Sequence, residues 1–277
     1  MKINIAKSSG FCFGVRHAIN ISKNVAKKNK NVYVLGDIVH NTFVVKELEE
    51  KGVKKLKRMA PRKDATLIIR AHGAPKKVFS QARKTGYAVV DATCPMVKDI
   101  YKIAKRLEKT HRIIIIGDKG HDEVKGIAGQ LKTKPITIES VKDIDKKKLS
   151  RIKKAAIVTQ STQSEENINA IMEKLLKIIP EVKLNNTACR ITRVKQADIK
   201  ALPLKNDVML IIGSKTSANT KRLYQISKKK NKKTYWIESA RNLKKDWFKK
   251  AKNTGIMAGA STPDYVTKDV VKKLKTF

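Results

Sequence analysis

The sequence has few cysteines, few acidic residues and no long apolar run. Only three of its 277 residues are cysteine, and an odd number with wide spacing argues against a disulfide framework. No run approaches the ~20 apolar residues that cross a bilayer. The N-terminus, Met1–Lys7, is predicted to be a strand and lacks the features of a secretory signal. We therefore expect a cytoplasmic protein without a membrane partner, whose thiols are core residues, a nucleophile or metal ligands.

The scarcity of acidic residues leaves a strongly basic chain, with 63 Lys and Arg against 24 Asp and Glu and a formal net charge of +39. Such a charge is typical of nucleic-acid binding. Yet only 12 of the basic residues are Arg, the side chain favoured for recognition of bases and phosphates. The lysines are spread along the chain without a basic stripe interleaved with aromatics. We predict no specific nucleic-acid partner and interpret the charge as a solvated surface shaped by coding bias. Electrostatic steering of an anionic substrate or an acidic donor protein is the alternative.

The three cysteines belong to a pattern that occurs three times. Cys12, Cys94 and Cys189 are separated by 82 and 95 residues. Three strand-ending glycines are separated by 81 and 96 residues, namely Gly36, Gly117 and Gly213. In each repeat a first strand ends in glycine and a polar loop, a second ends in small polar residues, and a third ends in cysteine. The last repeat lacks its cysteine strand, and the N-terminal residues supply one.

Apolar strands that alternate with helices predict parallel α/β units buried on both faces. The fold class is therefore α/β, with three similar parallel-sheet lobes in a pseudo-threefold trefoil around a central cavity. The predicted lobes are residues 13–93, residues 94–190, and residues 191–277 completed by the strand in residues 1–12. Ligands bind at the carboxyl ends of such strands, which is where the polar residues of the pattern occur.

Three cysteines around one cavity have three possible interpretations. They are ordinary buried thiols, a zinc site of three Cys and one His, or an iron–sulfur cluster held by three thiolates. A zinc site usually includes a close Cys-x-x-Cys pair, which this chain lacks. Spacing alone does not establish a cluster, because cluster motifs are usually more compact.

Three histidines, His40, His72 and His121, each end a predicted strand close to a glycine, whereas His17 and His111 are interpreted as structural. Three His with few acids suit a diphosphate, and helix N-termini that point at the same place favour phosphate. Glu123 follows His121 by two residues. It is either a favourable acid at a helix N-terminus or a proton donor whose pKa burial raises. Neutral donors that complete the set are Ser217, Asn219 and Ser261, and hydroxyls for a substrate hydroxyl group come from Thr159–Thr162.

Six motifs in order resemble the 4-hydroxy-3-methylbut-2-enyl diphosphate reductase family of the methylerythritol phosphate route to isoprenoids. The resemblance covers essentially the whole chain. The motifs are Gly10–Val15, Gly36–Asn41, Arg70–Gly73, Asp91–Pro95, Gly117–Val124 and Ala258–Asp264.

The resemblance implies a trefoil of three lobes around a 4Fe–4S cluster with Cys12, Cys94 and Cys189 as its ligands. It implies that the unique iron binds the allylic hydroxyl of the substrate. Two electrons and protons then remove this hydroxyl as water, and isopentenyl and dimethylallyl diphosphates form. A ferredoxin or flavodoxin is the implied electron donor, and Glu123 is the implied proton-delivering acid. Implied substrate-binding residues are His40, His72, His121, Ser161, Thr162, Ser217, Asn219 and Ser261.

The chain departs from the family pattern at a few positions. Arg190 and Ile191 stand after the third cysteine, where an acidic or small residue and Ala are usual. Ser161 keeps the hydroxyl of the usual Thr. Ala218 lacks the hydroxyl of the usual Ser, and the loss of one diphosphate hydrogen bond costs ~1 kcal/mol or somewhat more. We therefore expect weaker substrate binding and an intact cluster.

Overall fold

A computed structural model describes the chain from Met1 to Phe277, and its strands form three four-stranded sheets. Every strand pairing in the three sheets is parallel. The expected fold class, three parallel α/β lobes, is confirmed. None of the helices is both long enough and apolar enough to span a membrane.

The chain begins with strand β1 (Lys2–Ile5), which joins the third sheet, and then builds the first lobe. In the first sheet the strand order is β3-β2-β4-β5. Helix α1 packs Ala18 and Ile19 against the buried side chains of Val32 and Val34. The elements of this lobe are α1 (Phe13–Lys28), β2 (Val32–Leu35), α2 (Thr42–Glu50), β3 (Val53–Leu56), β4 (Ala65–Ile69), α3 (Lys76–Lys84) and β5 (Tyr87–Asp91).

The second lobe repeats this arrangement in the strand order β7-β6-β8-β9. Its central strand β6 contains four consecutive isoleucines, all fully buried, because helices cover both faces of the sheet. Each buried isoleucine stabilises the fold by about 1.5–3 kcal/mol. The elements are α4 (Pro95–Leu107), β6 (Arg112–Ile116), α5 (Asp122–Ala128), β7 (Ile136–Ile138), a 3₁₀ turn Val141–Asp143, α6 (Lys146–Leu149), β8 (Lys154–Thr159), α7 (Glu165–Leu175) and β9 (Glu181–Asn185).

The third lobe has the same strand order only because the N-terminal strand completes it. Its sheet runs β11-β10-β12-β1, and Lys2 of β1 is in register with Asn253 of β12. Strand β1 therefore occupies the position that β5 and β9 hold in the other sheets. The other elements are α8 (Arg190–Ala201), β10 (Val208–Ile212), α9 (Ala218–Lys230), β11 (Thr234–Ile237), β12 (Asn253–Ala258), α10 (Asp264–Leu274) and the 3₁₀ turns Leu202–Lys205, Ala240–Asn242 and Lys245–Phe248.

The sequence pattern did not predict two strands, β3 in the first lobe and β7 in the second. Strand β3 is an edge strand whose two central lysines are exposed, and β7 has only three residues. Both therefore lack the apolar run that marks the inner strands. We retain 13–93, 94–190 and 191–277 with 1–12 as a proposed division into lobes, since separate hydrophobic clusters support each sheet.

Candidate active site

A single cavity brings together most of the side chains that the sequence singled out for function. Thr159 is an exception, because it contacts Thr187 and does not line the cavity. The cavity lies where the carboxyl ends of strands from all three sheets meet. His17 and His111 are not part of its lining. The nominated residues that line it are Cys12, His40, His72, Cys94, His121, Glu123, Ser161, Thr162, Cys189, Ser217, Asn219 and Ser261.

Each cysteine is the N-cap residue of a helix: Cys12 of α1, Cys94 of α4 and Cys189 of α8. The Val15 amide lies 3.4 Å from the Cys12 sulfur and donates to it. A helix N-terminus presents unpaired N–H groups and a partial positive charge, which favour a thiolate over a thiol. The three cysteines therefore occupy equivalent positions in the three lobes.

The backbone of each cysteine is fixed in the same way. The Cys94 amide donates to the Ala71 carbonyl at 3.0 Å, and the Cys189 amide donates to the Ser161 carbonyl at 2.9 Å. The Cys12 amide donates to the Ala260 carbonyl at 3.1 Å. These carbonyls belong to the loops after β4, β8 and β12, which also carry His72, Thr162 and Ser261. The thiols and the polar side chains are thus held by one shared set of hydrogen bonds.

The cysteine side chains lie close together in a partly dry environment. A methyl group added at Gly14 would collide with the Cys94 sulfur, so a glycine beside Cys12 allows the two chain segments to approach. Burial raises the pKa of Cys12, and it raises that of Cys94 to about 11. Three such thiols become thiolates when a metal displaces their protons. They are all free of disulfides and are suitable metal ligands.

Three histidine rings form a cluster at another part of the cavity. The His40 and His72 rings are stacked with centroids 4.3 Å apart, and the His121 centroid lies 5.4 Å from each of them. Burial lowers the pKa of all three, that of His72 well below its usual value and that of His121 to about 4. One nitrogen from each ring lies within 4.8 Å of the others. The cluster can hold either a metal ion or, when protonated, an anion.

Unpaired polar atoms in the same cavity favour an anion. Asn219 Nδ2 and His72 Nδ1 are buried and have no hydrogen-bond partner. Ser217 caps α9, so the N-terminus of that helix points into the cavity. Amide donors, a helix N-terminus and imidazoles that accept protons are a typical phosphate site. Ser261 donates to the His40 carbonyl at 3.1 Å and joins the third lobe to the first.

Glu123 is the buried carboxyl group of the cavity, with 2% of its surface exposed. It accepts hydrogen bonds from the Ser161 amide at 2.6 Å and the Ser161 hydroxyl at 2.7 Å. Burial raises the pKa of Glu123 to about 7, although both bonds from Ser161 oppose the shift. The Glu123 amide itself donates to His121 Nδ1 at 3.1 Å. A carboxyl group with this pKa both gives and takes a proton near neutral pH.

Lys195 lines the cavity, although no sequence motif indicated a functional role for it. Its side chain is 1% exposed, unlike the solvated lysines expected from the composition. The ammonium group donates to the carbonyls of Ser8, Gly10 and Ala258, the second at 2.9 Å. Burial lowers its pKa to about 8, and the nearby Cys12 opposes that shift. The only available signal was its position on the apolar side of α8, since Ile199 lies one turn further along the same face.

Two ion pairs between lobes also went unpredicted. Arg70 of the first lobe contacts Asp122 of the second at 2.6 Å. Arg222 of the third lobe contacts Asp118 of the second. All four side chains are largely shielded from water. The first pair joins the loop that carries His72 to the segment that carries His121, and the second joins α9 to the loop after β6. No pattern within a single lobe predicts them.

Comparison with known proteins agrees with the motifs. The model of the LytB protein family matches residues 3–275. A 4-hydroxy-3-methylbut-2-enyl diphosphate reductase of Caldanaerobacter subterraneus is 40% identical over all of this chain and 97% of the relative. The reductase of the same name from Aquifex aeolicus is 38% identical over 99% of this chain and 96% of its own length.

Two solved structures share the fold over nearly all of the chain. One is a (E)-4-hydroxy-3-methyl-but-2-enyl diphosphate reductase, the terminal enzyme of the non-mevalonate pathway, with 38% identity, a TM-score of 0.73 and full coverage of both chains. The other is the E-1-hydroxy-2-methyl-but-2-enyl-4-diphosphate reductase of Plasmodium falciparum, with 28% identity, a TM-score of 0.91 and coverage of 99% and 88%. The resemblance inferred from the six motifs is confirmed. The chain belongs to the LytB protein family, a family of enzymes whose curated relatives are named 4-hydroxy-3-methylbut-2-enyl diphosphate reductases.

Proposed function

We propose that this enzyme removes the hydroxyl group of (E)-4-hydroxy-3-methylbut-2-enyl diphosphate by reduction. Two electrons and two protons enter, the allylic C–O bond breaks, and isopentenyl or dimethylallyl diphosphate leaves together with water. The observation that carries the proposal is the meeting of three thiols, three histidines and one buried carboxyl group in a single cavity. Family membership over residues 3–275 supports the substrate.

The donor set of the cavity fits a 4Fe–4S cluster held by Cys12, Cys94 and Cys189. Thiolates are the ligands that such clusters require. Each of these cysteines caps a helix whose N-terminus stabilises a thiolate, and this opposes the burial that raises the pKa values of Cys12 and Cys94. A cluster held by three thiolates would supply electrons one at a time and, at the iron without a protein ligand, a Lewis acid for the allylic hydroxyl group. The chain has no fourth cysteine to ligate that iron.

The histidine cluster and the N-terminus of α9 are suited to the diphosphate. Burial lowers the pKa values of His40, His72 and His121, which favours their neutral forms. A diphosphate brought next to them raises those pKa values, so binding is coupled to proton uptake. Ser217, Asn219 and Ser261 add neutral donors, and Asn219 Nδ2 has no other partner. Ala218 removes one hydroxyl from this set.

Glu123 is the proposed proton donor, and Ser161 holds its carboxyl group in place through two hydrogen bonds. Because burial raises the pKa of Glu123 to about 7, this carboxyl group can hold a proton at neutral pH. Thr162 lies next to Ser161 in the cavity lining and is available to orient the substrate hydroxyl. Giving up its proton leaves a buried carboxylate that the Ser161 amide and hydroxyl stabilise.

Iron analysis of anaerobically purified protein tests the cluster. We expect brown protein with about four irons per chain, an electron paramagnetic resonance signal on reduction, and reduction of the diphosphate substrate by dithionite with methyl viologen. Cys189→Ser should lose iron and activity together. A colourless, iron-free protein after anaerobic reconstitution would refute the proposal. Stoichiometric zinc would instead indicate a structural zinc protein, and tight RNA binding without iron would indicate a nucleic-acid protein.

Electrons are proposed to come from a ferredoxin or flavodoxin. Both are acidic proteins, and the chain carries a formal net charge of +39, so the two partners attract each other over several ångströms at physiological salt.

A further inference from the structure

Residues 6–12, which we call the N-terminal loop, connect β1 to α1 and carry Cys12. The loop contains no helix or strand of its own, so its shape depends on what holds it from outside. The Cys12 amide donates to the Ala260 carbonyl at 3.1 Å. Further hydrogen bonds come from side chains of α8, the helix that Cys189 caps. One helix thus begins at one cysteine and holds the loop that carries another.

Two side chains of α8 hold the backbone of the N-terminal loop. Lys195 donates to the carbonyls of Ser8 and Gly10, the second at 2.9 Å. Asp198 accepts from the Ser8 amide at 3.0 Å and from the Ser8 hydroxyl at 2.7 Å. Side chains three positions apart lie on the same side of a helix. Because these bonds act two and four positions before Cys12, they restrict where its sulfur can lie.

Ordering of the loop alone does not explain why the donor is a lysine. Its acceptors are backbone carbonyls, which carry no formal charge, and a neutral donor would satisfy them without burial of an ammonium group. Burial lowers the pKa of Lys195 to about 8, and Cys12 opposes that shift more than Asp198 does. Lys195 is also the only lysine or arginine that lines the cavity. Its charge therefore lies where the cysteines meet.

We propose that Lys195 is a positioning residue for Cys12 and that its charge favours the reduced form of the cluster, an inference that rests on the proposed function. Its hydrogen bonds keep the Cys12 sulfur in place relative to Cys189, as a site of three thiolates requires. A buried cation beside thiolates also offsets their negative charge, and net charge and burial help to set the potential of an iron–sulfur cluster. Removal of this cation should therefore make reduction harder.

The proposal is tested with two variants that loosen the same loop but change its charge in opposite directions. Lys195→Met removes the ammonium group and keeps an unbranched apolar side chain, whereas Asp198→Ala removes the carboxylate that holds Ser8. Lys195→Arg retains the cation. Lys200→Met is the matched control, since Lys200 lies on the same helix, is partly exposed and pairs with Glu166 at 2.8 Å.

Two measurements separate the two parts of the proposal. Hydrogen exchange of the cluster-free protein reports the order of the loop, and we expect the amides of residues 6–12 to exchange at least about tenfold faster in Lys195→Met and in Asp198→Ala. A redox titration of the loaded protein, followed by electron paramagnetic resonance, reports the midpoint potential. This potential should become more negative in Lys195→Met but not in Asp198→Ala, Lys195→Arg or Lys200→Met. If Lys195→Met does not fold, Lys195→Gln, which is neutral and still a donor, should show the same negative shift.

Unchanged exchange of the loop in Lys195→Met would show that Lys195 does not position Cys12. A wild-type potential in Lys195→Met, or an equal negative shift in Asp198→Ala, would show that the charge of Lys195 does not act on the cluster. Either result would overturn the proposal. A wild-type protein that binds no iron would instead refute the proposed function, and the exchange measurement would still decide whether Lys195 orders the loop.

Discussion

Replacing Glu123 with Gln changes the charge of the cavity while preserving its shape. The Gln carbonyl can accept from the Ser161 amide, and the Ser161 hydroxyl can rotate to accept from the new amide group. Burial raises the pKa of Glu123 from 4.5 to about 7. Each pKa unit corresponds to about 1.4 kcal/mol, so ionised Glu123 destabilises the fold by about 3 kcal/mol relative to its protonated form.

The sign of the effect follows from the direction of this shift. A carboxyl group whose pKa is higher in the folded state stabilises the fold fully below pH 4.5, and this contribution is lost as pH rises through 7. Glu123→Gln lacks the titration. We therefore expect the variant to gain up to about 3 kcal/mol of unfolding free energy relative to the wild type between pH 4.5 and pH 8.

Urea unfolding of both proteins at several pH values measures this difference, and no bound cofactor is needed. Titration of the histidines occurs in both proteins and largely cancels in the comparison. The fully loaded variant should retain its iron and lose about 10²–10⁴-fold in turnover, as expected when a general acid is removed. A stability difference that is independent of pH would show that Glu123 is ionised at neutral pH and would refute its role as the proton donor.

Three further predictions concern the cavity. The protein should take up protons when it binds inorganic pyrophosphate at pH 7, and calorimetry in buffers of different ionisation enthalpy measures this uptake. His72→Asn should reduce the uptake. Binding without proton uptake would contradict anion binding by neutral histidines. Ala218→Ser should tighten substrate binding up to about fivefold, seen as a lower KM with unchanged kcat. Lys195→Met should lower the unfolding free energy by about 2 kcal/mol, measured by urea unfolding at pH 7. An unfolding free energy equal to that of the wild type would show that the hydrogen bonds of Lys195 contribute little to stability.

The repeated strands and helices were predictable because each is determined by residues that are neighbours in the sequence. Strand β6, for example, is a run of four isoleucines that only a sheet covered on both faces can bury. Its glycine-ended loop leads to His121 as the loop of β2 leads to His40. Spacing alone then indicated that Cys12 completes the third repeat, and the pairing of β1 with β12 agrees with it.

The contacts between lobes were not predictable in the same way. Arg70 and Asp122 are 52 positions apart, and nothing in either neighbourhood indicates that they form an ion pair. The sequence does not distinguish Lys195 from the many exposed lysines, because its hydrogen-bond partners are backbone carbonyls, which every residue has. These contacts depend on how the folded lobes pack against one another, and a sequence pattern within one lobe carries no information about that packing.

The pairing of β1 with β12 has a consequence for how the protein is made. During synthesis the first and second sheets can form as soon as their own residues have emerged, since domains generally fold as units from the N-terminus. The third sheet forms later, because β1 precedes all other strands in the chain and its partner β12 follows them. Until the residues of β12 have been synthesised, β1 and Cys12 remain without their native neighbours, and β1 is an unpaired strand. The three thiols therefore come together only late, after the residues of β12 have been synthesised, and the proposed cluster would be loaded after that step.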